Sequence, residues 1–460
     1  MMDINNGINA GAGGRKNQNF RLEPSQVLVL GFIVLIILGA FLLSLPYAAA
    51  DGGGTNFLDA LFTATSAVCV TGLIVVDTGT YWSVFGKVII MLLIQIGGLG
   101  FMTFATMIFI ILGRRISLRE RLVIQQQQNR LNLQGVVRLT KYIIIGTLLV
   151  EGIGAVLLSI RFVPQFGPAK GLAYGIFHSV SAFCNAGFDL IGGYRSLTSY
   201  VDDYLVNGII ITLLIIGGLG FSVIAEMMRN KKPRRYSLHT KLVLMLTVIL
   251  LGLGTVLTLV LEYSNPATLG PLSYGEKFMA SLFHSATPRT AGFNTLPTNE
   301  LTNATRFLNI ILMFIGGSSG STAGGVKTTT AGILIFTVVS VVKGREDTEV
   351  FERRISKEQV YRALAIVVIS LLIVAAVVAV LTITEDAEFM DVLFEAFSAF
   401  GTVGLSMGIT PALTPVGKAI IIATMYAGRL GPLTVALALA RRQTKNKARM
   451  RYPKEKILVG

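Results

Sequence analysis

Residues 61–73 read LFTATSAVCVTGL, and the pattern returns three times: IFHSVSAFCNAGF at 176–188, LFHSATPRTAGF at 282–293 and LFEAFSAFGTVGL at 393–405. Each copy opens on an aliphatic residue followed by Phe and closes on glycine plus one apolar residue. The closing glycines are Gly72, Gly187, Gly292 and Gly404, spaced 115, 105 and 112 residues apart. A repeat of about 110 residues follows, with the third copy one residue short. A second landmark keeps step with the first. It reads IGGLGF at 96–101, IGGLGF at 216–221, IGGSSG at 315–320 and AGRLGP at 427–432.

Working outward, each repeat parses as an apolar span, a loop, a short apolar segment ending at the glycine, and a second span. The long apolar runs at 27–45, 143–162, 242–261 and 363–384 have the length that crosses a bilayer core. The short segments are too short to cross and begin and end on the same side. They read as re-entrant hairpins, because non-helical backbone at membrane depth survives only inside protein or around a wet cavity. The expected fold is an all-α membrane protein. It has eight transmembrane helices and four re-entrant pore half-helices, set as four helix–pore loop–helix repeats around one pseudo-four-fold pore. The expected boundaries are an N-terminal tail at 1–24, repeat 1 at 25–113, repeat 2 at 114–230, repeat 3 at 231–345, repeat 4 at 346–440 and a C-terminal tail at 441–460.

Composition agrees. The chain has 460 residues, 52% hydrophobic and only 14% charged, against about 25% charged in a soluble domain. Its net charge of +15 would suit nucleic acid, but the distribution argues otherwise. About 30 of the 40 Lys and Arg fall in the N-terminal tail, the segments 114–141, 229–241 and 343–362, and the tail 441–456. By the positive-inside rule these are cytoplasmic, which puts both termini inside. Asp51, Asp59, Asp202, Asp203, Glu385, Asp386 and Glu388 mark the opposite side. Cys69 and Cys184 fit neither a zinc spacing nor a secreted disulfide framework. The first span begins late for a signal peptide and reads as permanent. The spans hold no metal cluster, nucleophile–base pair or acidic dyad, so an enzyme is not expected.

A dehydrated cation needs oxygens that replace its water, and backbone carbonyls offer dipoles without fixed charge. Glycine permits the left-handed dihedrals and close approach that four equivalent segments around an axis require. The candidate ion ligands are the carbonyls around Val70, Thr71 and Gly72, Asn185, Ala186 and Gly187, Thr290, Ala291 and Gly292, and Thr402, Val403 and Gly404. The half-helices would aim their negative C-terminal poles at the same cavity. Asp59, Glu276, Asp391 and Glu395 read as ordinary dipole complements at helix starts. His178 and His284 read as hydrogen-bonding residues, and Cys69 and Cys184 as small packing residues.

The second span reads as a continuous apolar run in three repeats and is broken in the third by GGSSGSTAGGVKTTT at 316–330. Gly316, Gly317, Gly320, Gly324 and Gly325 disfavour helix there. A mobile loop across the path below the filter is expected, with Lys327 adding positive charge. Residues 320–328 nearly match a phosphate-binding loop, but Val326 intervenes between Gly325 and Lys327. Arg429 lies near the middle of the last span, where an ionisable side chain faces the bundle interior. It reads either as a positive barrier that pairs with the loop or as a structural ion pair with Glu151.

The glycine quartet, the broken span at 316–330 and the Gly-Arg-x-Gly-Pro of 428–432 resemble the Trk/Ktr/HKT superfamily of K+ transporters. Within it, the short cytoplasmic loops and the Arg-Tyr-Pro of 451–453 are most similar to KtrB-type membrane subunits of bacteria. The likeness covers almost the whole chain, although only the fourth copy contains Thr-Val-Gly and none has the Tyr-Gly that follows it in tetrameric potassium channels. The resemblance implies gated potassium uptake across the plasma membrane, with glycine at all four positions going with potassium. Serine at the first position goes with sodium-preferring members, and a sodium-selective transporter is the alternative. It implies that 316–330 is a gate and that Na+ is a possible coupling or activating ion. It also implies a homodimer with one pore per protomer on a cytosolic RCK-type ring, where any nucleotide would bind. The basic loops suit docking to that ring or contact with anionic lipid.

Overall fold

The computed structural model describes residues 24–100, 136–432, and residues 103, 122, 125 and 434. The sequence readings for both charged tails and most of the segment 114–141 lie outside these residues. The chain begins with α1 (Pro24–Ser44), α2 (Phe57–Cys69) and α3 (Val84–Leu99). Then come α4 (Val136–Phe166), α5 (Pro168–Phe183), α6 (Tyr204–Leu219) and α7 (Phe221–Arg229). They are followed by α8 (Leu238–Glu262), α9 (Tyr274–Ala286), α10 (Asn303–Phe314) and α11 (Thr328–Val342). A small hairpin, β1 (Thr348–Val350) with β2 (Arg353–Ile355), leads into α12 (Lys357–Thr384), α13 (Phe389–Gly401) and α14 (Pro415–Leu430).

The long helices face outward with apolar side chains. On α4, Ile145, Leu148, Leu149, Ile153, Val156 and Ile160 are all exposed, and their three-and-four spacing forms one stripe. Val248, Leu253, Val256 and Val260 do the same on α8. Such unpartnered apolar stripes belong against lipid. Among the described residues, four helical stretches are long and apolar enough to cross a membrane: Gln26–Ser44, Thr140–Phe166, Leu238–Glu262 and Lys357–Thr384. The α6 and α7 pair passes the same test together, while α2, α3 and α11 are shorter apolar helices. The chain is therefore a predominantly helical, multi-pass membrane protein.

The short helices α2, α5, α9 and α13 are the ones buried deepest. Phe62, Phe283, Phe394 and Phe400 are wholly enclosed. Polar clamps tie the end of one helix to the start of another. Glu262, ending α8, accepts from Thr302 N at 2.9 Å and Oγ1 at 2.8 Å, where Thr302 caps α10. Glu385, just past α12, accepts from Thr414 N at 2.8 Å and Oγ1 at 2.6 Å, where Thr414 caps α14. Arg161 of α4 reaches Asp203, the cap of α6, at 2.5 Å. Lys418 of α14 reaches Asp59 of α2 at 2.7 Å, which joins α14 to the first of the short helices.

The structure corrects the expectation that only the third repeat has an interrupted second span. Helix α3 ends at Gly100 (φ 82°, ψ 135°), α6 at Gly220 (φ 94°, ψ 134°) and α14 at Gly431 (φ 84°, ψ 134°). These three glycines share one left-handed conformation that side chains rarely adopt. After Gly220 the chain turns by 95° into α7. The apolar text runs straight through such a bend, so composition gives no warning of it.

Candidate ion-conducting site

Each short helix ends at the onset of a glycine-bearing segment, and the four segments share one backbone. Val70, Asn185, Thr290 and Thr402, each two residues before the glycine, have φ of 57°, 59°, 72° and 50°. Gly72, Gly187, Gly292 and Gly404 follow at φ of 91°, 71°, 79° and 93°. A β-branched residue at positive φ is an outlier that costs roughly 1–3 kcal/mol and persists only where its surroundings enforce it. Val70, Thr290 and Thr402 are β-branched, so three of the four segments carry this strain at one register.

The four glycines form a closed circuit. A methyl placed on each would fall 2.9 to 3.4 Å from the Cα of the next, in the order 72, 187, 292, 404 and back to 72. The same methyls would run into carbonyl oxygens. Ala186 O stands beside Gly72, Ala291 O beside Gly187, Val403 O beside Gly292 and Thr71 O beside Gly404. For Gly187 the separation would be 2.9 Å, and at the other three sites it would be shorter. Glycine is thus required twice at each position, by the dihedral and by the approach of the neighbouring strand. The structure brings all twelve sequence-selected residues, Val70 to Gly72, Asn185 to Gly187, Thr290 to Gly292 and Thr402 to Gly404, to this one place. The hydroxyls of Thr71, Thr290 and Thr402 are buried and have no hydrogen-bond partner.

A cavity of about 510 Å³ opens on one side of the circuit, lined by all four glycines with Asp189, Ser406 and Thr410. A second, of about 430 Å³, is lined by Gly98, Gly320, Gly325, Lys327 and Arg429. Loop 316–327 lies between them. A methyl on Gly316 would fall 3.2 Å from Thr290 Cγ2, one on Gly324 would collide with the Thr402 side chain, and one on Gly325 would fall 3.2 Å from Gly401 Cα. The neck of the loop is pinned by Gly316 N donating to Val326 O at 2.9 Å and Thr328 N to Gly317 O at 3.0 Å. Ser318 N donates to Gly218 O at 3.0 Å, and Phe221 N to Gly320 O at 2.9 Å, so the loop is laced to the bend after α6.

Arg429 donates to Thr322 O in the loop and to the carbonyls of Gly97 and Gly98 in α3. It therefore joins three parts of the molecule. The suggested ion pair with Glu151 does not form. Glu151 instead accepts from Gln95 Nε2 at 3.1 Å and lies 3.7 Å from Cys184 Sγ. Lys327 turns inward and donates to Ala323 O at 2.5 Å, closing its own loop.

Several contributors escape a reading for charges and glycines alone. The sixth residue of each quoted segment, Ser66, Ser181, Thr287 or Ser398, carries a buried hydroxyl that bonds to the strand it precedes. A hydroxyl at the sixth letter of all four copies was the available signal. Glu395 is also misjudged as a helix-start complement. It is fully buried mid-helix and accepts from Ser406 at 2.8 Å and from Thr410, bracing the loop beyond Gly404. Arg289 lies half-buried beside Thr290, with Nε unpartnered. Gly97, Gly217 and Gly428 are packing glycines, because a methyl on each would strike Val68 O, Phe183 O or Phe400 O at a half-helix end. His178 bonds within α5 to Tyr174 O at 2.8 Å and accepts from Leu190 N at 3.3 Å, while His284 of α9 bonds to Asn309 of α10 at 2.9 Å.

Residues 16–449 match the family model described as TrkH, cation transport protein. The chain is 47% identical over 440 residues to the Ktr system potassium uptake protein B of Bacillus subtilis, covering 96% of this chain and 97% of that one. It is 42% identical over 450 residues to the potassium/sodium uptake protein NtpJ of Enterococcus hirae, covering 97% and 99%. Its fold is similar to the crystal structure of the potassium transporter TrkH from Vibrio parahaemolyticus, with a TM-score of 0.73 at 20% identity, covering 92% of this chain and 86% of that one. These relatives are transporters, not enzymes. The match of a family model along nearly the whole chain, joined to full-length relatives, makes this protein a member of the TrkH family of cation transport proteins.

Proposed function

We propose that this protein takes up potassium through a single pore, with the four glycine segments as its selectivity filter. The carrying observation is the closed circuit of Gly72, Gly187, Gly292 and Gly404, with a carbonyl of one segment beside each glycine of another. Carbonyls there would replace the hydration shell of a passing ion. The unpartnered hydroxyls of Thr71, Thr290 and Thr402 add oxygens that the protein itself does not satisfy. The four half-helices end at this point, and their negative poles favour a cation. An inside-negative potential contributes about 2.3 kcal/mol per 100 mV to each inward charge, so uptake through a gated pore requires no hydrolysis here.

Four repeats, at 25–113, 114–230, 231–345 and 346–440, would each supply one segment, giving eight crossings and four half-helices. Loop 316–330 would be the gate, with Gly316, Gly317, Gly320, Gly324 and Gly325 giving it freedom and Lys327 and Arg429 setting its charge. The protein would lie in the plasma membrane with both termini in the cytosol. It would form a homodimer on a cytosolic RCK-type ring that binds the nucleotide.

Potassium and sodium uptake by the unaltered protein and by Gly72→Ser tests the filter. Uptake that favours potassium in the former and admits sodium in the latter is expected; unchanged selectivity would refute the assignment. A second reading, a transporter that also carries sodium or depends on it, draws on the potassium/sodium name of the Enterococcus relative. Potassium uptake that is indifferent to added sodium would dismiss it.

A further inference from the structure

Resting on the filter reading above, we infer that the four buried hydroxyls of Ser66, Ser181, Thr287 and Ser398 are positioning residues that aim the filter carbonyls, and that they do so in two different ways. All four are fully enclosed. Their backbone carbonyls already do one common job: Thr71 N, Ala186 N, Ala291 N and Val403 N donate to them at 2.8, 2.7, 2.9 and 2.9 Å. Their side chains differ.

In the first and fourth segments the hydroxyl oxygen accepts. Gly72 N donates to Ser66 Oγ at 3.0 Å, and Gly404 N to Ser398 Oγ at 3.1 Å. A peptide unit is planar and trans, so its N–H and C=O point in opposite directions. With Gly72 N–H held back toward α2, Thr71 C=O is turned the other way. Thr71 O is the oxygen that stands beside Gly404. Val403 C=O is fixed by the same means and stands beside Gly292. These two hydroxyls therefore hold the orientation of two ring carbonyls directly.

In the second and third segments the hydroxyl donates. Ser181 Oγ donates to Phe188 O at 2.7 Å, and Thr287 Oγ1 donates to Phe293 O. Those carbonyls come after the glycine, not before it. Here the brace draws an oxygen back toward the half-helix and leaves the ring carbonyls of Ala186 and Ala291 to the backbone alone. Because segments one and four are neighbours in the circuit, the directly braced carbonyls occupy one half of the ring.

The test is the potassium-to-sodium uptake ratio of Ser66→Ala, Ser398→Ala, Ser181→Ala and Thr287→Val, with Ser66→Thr as the rescue and Gly72→Ser as the reference. Removing Ser66 or Ser398 orphans a buried N–H, and a loss of about ten-fold in the ratio is expected from a penalty of that size. Ser181→Ala and Thr287→Val should change it by less than about two-fold, since each leaves an acceptor that tolerates the loss better. Ser66→Thr should restore the ratio, which a merely structural role would not require. Ser66→Cys, which keeps a weak acceptor, reports an intermediate loss if Ser66→Ala does not reach the membrane. Equal ratios across all four variants, or an unaltered ratio in Ser66→Cys, would overturn the inference. A change in Gly72→Ser without one in the Ser66 variants would sink the braces and spare the filter; no change in either would sink both.

Discussion

The four glycine-bearing segments and the helices that follow them differ in how closely their copies agree. The segments copy one another in backbone: positive φ recurs at Val70, Asn185, Thr290 and Thr402 and again at the four glycines. The following helices break alike at Gly100, Gly220 and Gly431 and diverge in the third copy, where loop 316–327 crosses between two cavities. Charge follows this division. The circuit of glycines is built without fixed charge, while Lys327 and Arg429 lie on its far side. On the proposed function, equivalence serves the surrounding of an ion and asymmetry serves a single moving gate.

The largest effect should come from breaking the equivalence. Gly404→Ala drives a methyl into Thr71 O at a φ of 93°. Strain of roughly 3 kcal/mol corresponds to a fall in ion uptake of about 100-fold, measured as rubidium influx into vesicles. Influx within two-fold of the unaltered protein would mean that the circuit is not on the path. The asymmetric side should respond in the other direction. Arg429→Ala removes charged hydrogen bonds to Thr322, Gly97 and Gly98, each worth about 1.5–3 kcal/mol. The loop is then released, and uptake should rise about ten-fold with the protein still folded. A variant that fails to assemble would instead make Arg429 a structural tie.

The smallest effects sharpen the boundary between the two regions. Gly217→Ala would press on Phe183 O and should destabilise by about 1–3 kcal/mol. Gly252→Ala meets open space on α8 and should stabilise the helix by up to about 1 kcal/mol. Melting temperatures in detergent, falling for the first and not for the second, would separate packing glycines from incidental ones.

The glycine circuit was legible in the text because four copies kept register over about 110 residues, and register survives where single motifs do not. The helix ends at Gly100, Gly220 and Gly431 were not, because one glycine among apolar residues looks the same in a straight helix and a broken one. Ser66 and its counterparts were printed at one position in every copy, yet a hydroxyl has no recognisable role until its partner is placed opposite. Arg429 was correctly seen as costly and inward-facing. Its partners are backbone carbonyls, which carry no side-chain signature; of the two sequence readings, pairing with loop 316–330 agrees with the bond to Thr322 O, and the ion pair with Glu151 does not form.

Thallium or rubidium anomalous scattering from crystals of the protein addresses the pore itself. A peak on the axis enclosed by Gly72, Gly187, Gly292 and Gly404, within bonding distance of Thr71 O, Ala186 O, Ala291 O and Val403 O, is the predicted result. Bound ions found only outside that ring, with the ring itself empty at saturating salt, would contradict it.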